Sequence, residues 1–452
     1  MEAVGIDAGR IAPLKAREDE AFSRTHGRSI ALWERGRAVM PNGVPMSWHR
    51  TSFDHPPVFV DEGRGSHFRD VDGNDYADFN IADISMFGGY APAPVVEAVA
   101  RRAAEGTQFL LPSEDAIWVA EELGRRFGLP RWQFTVSATH ANTEAIRVAR
   151  VITGREKVLM FDGKYHGHFD EALVELRGGR QVPGEAGLPS AAVSTTVLVP
   201  FNDAGAVARA LETREVALVL TEPAMTNEQG LIVPEAGFHD ALRALTSDTG
   251  TLLGYDETHT QVVGPHGLVG RWQLSPDLLT IGKSIAGGVP LGAYGMTPEV
   301  AEVLERPAGD DGAKPTVATG GTLFGNPLSM AAAHATLEHV LTPEAYAHTE
   351  ALGARLADGL EKVVRDAGLP WSVHRFWPRS GLTFAPTLPR DAAEAHAHFD
   401  VPLRRLMRLY LANRGVWDAI VGAGPTCSVP ATEDDVDAYV GGVGDLVGEL
   451  TA

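Results

Sequence analysis

Residues 133–154 read QFTVSATHANTEAIRVARVITG, and the order of patterns within them decides the fold class. Gln133 to Ser137 is a short β-rich run of the kind that forms a buried parallel strand. Small residues follow. From Thr139 to about Thr153, Ala141, Ala145, Val148, Ala149 and Ile152 recur at helical spacing, and Gly154 stands where a C-terminal cap belongs. Working outward, Val158–Phe161, Ala217–Thr221 and Leu252–Tyr255 are further short apolar runs separated by helical patterns. Such alternation predicts an α/β domain with a mainly parallel sheet. Asn326-Pro327 opens another helix through about Val340, and the remainder reads as a second, smaller α+β domain. Upstream, Ala16 to Val39 predicts a helical arm ending at Pro41-Asn42-Gly43. Val58-Phe59-Val60 and the stretch around Gly73-Asn74-Asp75 predict short strands. The Pro-Gly-rich segment Gln181 to Pro189 predicts a surface loop. The resulting division is an N-terminal arm with part of a small domain over 1–70, a large α/β domain over 71–340 and a C-terminal small domain over 341–452.

The 452 residues include 39 basic and 59 acidic side chains, a net charge of −20. That balance argues against a nucleic acid or an anionic membrane as partner, because both select basic surfaces. Cys427 is the single cysteine, which excludes an intrachain disulfide and a four-cysteine zinc site and fits a reducing compartment. Met1 to Glu20 has no apolar core of signal-peptide length, and no run of about 18 apolar residues occurs. The cytoplasm is the expected location.

Four segments carry chemistry. Gly282-Lys283-Ser284 suggests a phosphate-binding P-loop, but that loop needs a glycine where Asp277 stands, so the reading fails. Lys283 instead follows the apolar stretch Leu278 to Ile281 and can be held in a site. Asp256 ends the Leu252 to Tyr255 run, at the carboxyl end of a predicted strand, where ligand sites of open α/β sheets lie. There it reads either as a cap or turn residue or as a carboxylate that keeps a cofactor's ring nitrogen protonated. Ser137-Ala138-Thr139 opens a helix whose free N–H groups and dipole form an anion site, with a phosphate on the amides of Ala138 and Thr139. In Tyr165-His166-Gly167-His168, Tyr165 can stack on a planar ring, while the two histidines read as a hydrogen-bonded loop pair rather than as metal ligands.

Taken together, these segments resemble the class III (ω-) aminotransferases of fold type I, and most closely their glutamate-1-semialdehyde aminomutase-like branch. The resemblance runs from about Pro41 to Tyr439. Ser137-Ala138-Thr139-His140-Ala141-Asn142 is similar to the family's S-G-T-E-A-N phosphate loop, and Tyr165-His166-Gly167 to its Y-H-G. Glu222-Pro223, Asp256-Glu257, Thr280-Ile281-Gly282-Lys283 and Gly321-Thr322-Leu323-Phe324-Gly325-Asn326-Pro327 match its remaining motifs in order. The resemblance implies a mainly parallel seven-stranded sheet and pyridoxal 5′-phosphate (PLP) as cofactor. Lys283 would form the Schiff base and move the proton. Asp256 would pair with the pyridine nitrogen, and Tyr165 would stack on the ring. Ser137, Ala138 and Thr139 would hold the phosphate, with His166 and Glu222 near the cofactor. Thr322 would reach the phosphate of the neighbouring subunit in a homodimer with shared sites.

The chain also departs from the family pattern. His140 replaces the anionic glutamate with an imidazole. Gly88-Gly89-Tyr90-Ala91-Pro92 replaces a G-H-x-H-P-like segment, and the arginine common a few residues after the Asp-Glu pair is missing from Thr258 to Val263. The expected reaction is amino transfer from an amine or amino acid donor to a carbonyl acceptor. The alternatives are an aminomutase acting within one substrate and a non-catalytic protein on the same fold. Trp48, Met86, Phe87, Tyr90 and Trp417 predict an apolar, aromatic-lined pocket for a hydrophobic amine, with Arg50 the candidate for an acceptor carboxylate.

Overall fold

The computed structural model describes residues 5–226, 229–308, 314–315 and 317–452. Contacts divide the chain into two units. One comprises Ala93–Pro343 with Arg390–Glu394; the other comprises the chain up to Pro92, Glu344–Pro389 and Ala395–Ala452.

The first unit is built on seven strands: β1 (Arg131–Thr135), β2 (Lys157–Phe161), β3 (Thr196–Val199), β4 (Val216–Thr221), β5 (Leu252–Asp256), β6 (Leu278–Ile281) and β7 (Gly292–Met296). Their order across the sheet is β1-β7-β6-β5-β4-β2-β3. The run from β6 through β5, β4 and β2 to β3 is parallel. Only β7 runs against its neighbours β6 and β1. The parallel strands are continuous apolar runs because both faces are covered, and every residue of β4 is buried. Helix α1 (Ala138–Thr153) places Ala141, Ala145, Val148 and Ala149 in a core shared with Val158, Met160, Leu218, Leu220 and Leu278. Each fully buried Val, Leu or Met there contributes roughly 1.5–3 kcal/mol. Gly154 ends α1 in the left-handed conformation, φ 67°, as its position predicts. Helix α2 (Pro327–His339) is capped by Asn326, whose side chain accepts from Ser329 N.

The sequence did not mark β7. Gly292-Ala293-Tyr294-Gly295-Met296 has two glycines, which weaken a strand pattern. Both are required by close approach: a Cβ at Gly292 would lie 2.2 Å from the carbonyl carbon of Ser137, and one at Gly295 would lie 2.6 Å from the Trp132 ring.

The second unit draws on both chain ends. Its four-stranded sheet joins Val60–Arg64, His67–Asp70 and Asp75–Asp78 to Val416–Trp417. Residues 71–92, beyond the boundary at 70 expected from sequence, fall in this unit because Asp75–Asp78 pairs in parallel with Val416–Trp417. The arm is two helices, Ile11–Thr25 and Gly27–Gly36, rather than one from Ala16 to Val39. The break falls at His26, whose ring stacks on Phe22 and whose Nε2 lies 2.6 Å from Tyr76 Oη. The segment expected as a loop at 181–189 begins instead in a hairpin, with Arg180–Pro183 paired to Val174–Arg177. No helix among the described residues is long and apolar enough to cross a membrane.

Candidate active site

The carboxyl ends of β4, β5 and β6 carry three charged residues in adjacent positions: Glu222, Asp256 and, a little beyond β6, Lys283. Asp256 is the last residue of β5 and pairs with Thr280 on β6, so Lys283 follows its partner by three residues. Lys283 starts a 3₁₀ turn through Ala286 and is half-buried, with φ 52°. A left-handed conformation is uncommon for a side chain of this kind and needs support from its surroundings.

Asp256 is buried, and both of its oxygens accept hydrogen bonds. Oδ2 accepts from Asn142 Nδ2 at 2.8 Å and from His166 Nδ1 at 2.9 Å, and Oδ1 accepts from Thr258 N at 3.0 Å. Burial alone would push its carboxyl up, but the hydrogen bond and charge of His166, with Thr258 and Asn142, outweigh burial and bring it down to about 2. The carboxylate is therefore ionised at neutral pH.

Two glycines bring the N-terminus of α1 against this cluster. A Cβ on Gly282, the residue before Lys283, would come 3.0 Å from Ala138 Cβ, so the lysine turn abuts the first residue of α1. At Gly167, φ 109°, a Cβ would come 2.3 Å from Thr139 Oγ1. The backbone after His166 thus lies directly on the second residue of the helix. Ser137 caps α1, accepting from His140 N at 3.4 Å, and its Oγ lies 2.9 Å from His140 Nδ1. The His140 ring meets Phe324 edge-on at 5.5 Å.

A helix N-terminus for an anion, an ionised carboxylate and a lysine within one cluster fit a phosphorylated heteroaromatic cofactor. A buried ring nitrogen, His166 Nε2, without a hydrogen-bond partner among the described residues, adds a polar atom for such a group. The family model for class-III aminotransferases matches residues 49–398. The chain belongs to this family. It is 36% identical over 381 residues to glutamate-1-semialdehyde 2,1-aminomutase 2 of Halalkalibacterium halodurans, covering 82% of this chain and 86% of that one. A crystal structure of a glutamate-1-semialdehyde-aminomutase from Pseudomonas aeruginosa PAO1, in complex with PMP, superposes with a TM-score of 0.92 at 38% identity over 99% of this chain and 100% of that one. An omega-transaminase from Sphaerobacter thermophilus gives 0.85 at 31% identity over 94% and 98%. This class-III aminotransferase is a PLP-dependent enzyme on an α/β fold with a mostly parallel seven-stranded sheet.

The remaining expected site residues are distributed as follows. Tyr165 is half-buried beside His166 in the loop after β2. Glu222 is buried and accepts from Thr226 Oγ1 at 2.6 Å and Thr226 N at 3.3 Å. Thr322 is exposed, and its carbonyl accepts from Gln108 Nε2. In the smaller unit Trp48 is exposed and Met86 half-buried. Arg50 lies over the Trp33 ring and donates to Phe53 O at 3.3 Å. Phe87 is fully buried against Tyr346. Tyr90 donates its hydroxyl to Asp78 Oδ2 at 2.6 Å. Trp417 is buried among Phe53, His55, Phe68 and Tyr76. Phe87 and Trp417 are thus packing residues of this unit, not an open apolar wall.

Asn142 stands in the phosphate-loop motif, but sequence reasoning assigned it no role of its own. Its amide donates to Asp256 and, at 2.7 Å, to His166 O, and its Oδ1 accepts from Thr280 Oγ1 at 2.6 Å. A signal was present: Asn142 sits on the apolar face of α1, next to Ala141 and three residues before Ala145, and a polar side chain there must find partners.

Proposed function

We propose that Lys283 holds PLP through its amine, that the N–H groups of Ala138 and Thr139 with Ser137 hold the phosphate, and that Asp256 keeps the pyridine nitrogen protonated. When bound, the cofactor supplies an electron sink for the pair left behind as a substrate C–H proton departs. The chain's own contribution is to place charge and move protons. Asn142, His166 and Thr258 keep Asp256 ionised and fixed. Lys283 takes a proton from a substrate carbon and returns it. Tyr165 and Glu222 border the cofactor.

The reaction we infer is movement of an amino group between two carbons of one substrate, as in a 2,1-aminomutase. What supports this reading is likeness along nearly the whole chain to a glutamate-1-semialdehyde-aminomutase, closer than to the omega-transaminase. Transfer between two substrates is the second reading, favoured by the missing arginine between Thr258 and Val263. The amine-loaded enzyme, given glutamate-1-semialdehyde alone, should form the isomer with the amino group on carbon 1. A strict requirement for an added keto acid, with no such isomer, would defeat the mutase reading.

We also infer a homodimer. Phe109, Leu110, Leu111, Ile117 and Leu323 are each more than half exposed in the α/β unit, and Leu323 adjoins Thr322. Apolar residues in such number call for a cover, and a second copy would bring Thr322 to the partner's cofactor phosphate. Sedimentation of a fully active monomer would exclude this arrangement.

A further inference from the structure

The turn that follows β5, Thr260–Val263, contains a buried side chain that the cofactor motifs do not use. Gln261 is 2% exposed. Its Nε2 donates to Thr258 O at 2.9 Å and to Gly282 O at 2.8 Å. Both carbonyls matter by position. Thr258 is the residue whose N–H donates to Asp256 Oδ1 at 3.0 Å. Gly282 is the residue directly before Lys283, and its carbonyl belongs to the peptide that leads into the left-handed turn at Lys283, φ 52°. One amide group therefore ties the segment that holds Asp256 to the segment that presents Lys283. The choice of residue has a chemical reason. Two buried carbonyls facing one point need two N–H donors, and a primary amide supplies both without bringing a charge beside Asp256. The main chain of Gln261 is itself anchored, donating to Glu257 O at 3.0 Å, so the side chain starts from a fixed base. On the far side, Gly282 has no slack: a Cβ there would meet Ala138 Cβ at 3.0 Å and Leu291 O at 3.3 Å.

We propose that Gln261 is a positioning residue for Lys283, its amide clamping the carbonyls of Thr258 and Gly282 so that the lysine backbone keeps its left-handed turn in register with Asp256. This rests on the reading of Lys283 as the residue that holds PLP. Gln261 does not touch the cofactor or the substrate. It acts through the peptide before the lysine, and its loss weakens the lysine link to the cofactor more than it weakens the phosphate and ring contacts.

That difference is measurable because PMP, the amine form, binds without any link to the lysine. Gln261→Met keeps the length of the side chain and removes both donors. Apoprotein of wild type, Gln261→Met and Lys283→Ala is titrated with PLP, reading the visible band and the fraction fixed to protein by borohydride. In parallel it is titrated with PMP, reading fluorescence quenching. Gln261→Met should raise the PLP dissociation constant about tenfold, the scale of losing one to two buried hydrogen bonds. Its PMP affinity should stay within about twofold of wild type, since PMP makes no link to Lys283, the residue whose peptide the Gln261 amide holds. Equal weakening of both forms, or no change in PLP binding, overturns the proposal. Lys283→Ala should lose borohydride fixation and still bind PMP. If it retains fixation, the assignment of Lys283 itself is wrong, whatever Gln261 does. Should Gln261→Met not yield folded protein, Gln261→Glu has the same shape and at most one donor, and it is read by the same split between PLP and PMP.

Discussion

At the end of β5, Asp256 lies out of solvent with Asn142, His166 and Thr258 hydrogen-bonded to its oxygens. In the smaller unit, Trp417 is also buried, with Phe53, His55, Phe68 and Tyr76 around its ring at 4.8–5.6 Å. Both places are buried and well packed, yet they differ in what burial does. The aromatic cluster gains free energy from every ring it encloses. Enclosing a carboxylate costs several kcal/mol before its partners are counted, and an apolar residue of similar volume would serve stability as well or better. A charge retained against that penalty, with three donors arranged around it, marks chemistry. An aromatic side chain near an expected entrance carries no such mark, which is why burial alone reassigns Trp417 and Phe87 to packing.

Trp417 tests the aromatic cluster. If it is a packing residue, Trp417→Ala should lower unfolding free energy by about 3–5 kcal/mol, the usual range for removing a large buried ring. Denaturant unfolding reads this. A variant as stable as wild type but with a raised KM would return Trp417 to the substrate pocket.

Asp256→Asn tests the other side. The amide keeps the size but loses the charge and replaces one of the two acceptor oxygens with an NH2 donor, set against the donors of Asn142, His166 or Thr258. Turnover should fall about a hundred- to a thousandfold, equivalent to about 2.7–4 kcal/mol of transition-state stabilisation, with cofactor still bound. Steady-state rates on holoenzyme verified by absorbance decide it. Near-normal turnover would remove Asp256 from its role and with it the argument from buried charge.

The sequence and the structure agree where one physical signal dominated. Buried parallel strands leave continuous apolar runs, so β2, β4 and β5 were readable to within about two residues. The helix after Ser137 was readable from its spacing and its terminal glycine. Strand ends and motif order pointed to Lys283 and Asp256, and in the structure Gly282, the residue before the lysine, abuts Ala138 while Asp256 Oδ2 lies 2.9 Å from His166 Nδ1. What escaped notice depends on contacts between residues far apart in the chain. Gly292 and Gly295 weaken β7 as a pattern while fitting it against Ser137 and Trp132. His26 interrupts a good helical pattern because it pairs with Tyr76, fifty residues away. Gln261 reads as an ordinary polar residue until Gly282 O is seen 2.8 Å from its amide.

A similar contrast exists within one dipeptide. Asp256 and Glu257 are consecutive and both buried, yet partners and burial shift them in opposite directions. Glu257 accepts from Thr260 Oγ1 and, at 2.5 Å, from Val269 N. Burial raises its carboxyl to about 7, beyond what those hydrogen bonds can offset, and the charge of Asp256 adds to the rise. The folded value lies above the ordinary 4.5, so the contribution of Glu257 to stability is complete below pH 4.5 and is lost as pH rises through 7. Glu257→Gln keeps an acceptor for Val269 N and can no longer ionise. Wild type should therefore lose stability between about pH 5 and pH 8 that the variant retains. The gap should widen between those values by on the order of 2–3 kcal/mol, following from a rise from 4.5 to about 7. Denaturant unfolding of both proteins at the two pH values measures it. Parallel loss in wild type and variant would show that Glu257 does not titrate in this window, and the contrast with Asp256 would then rest on geometry alone.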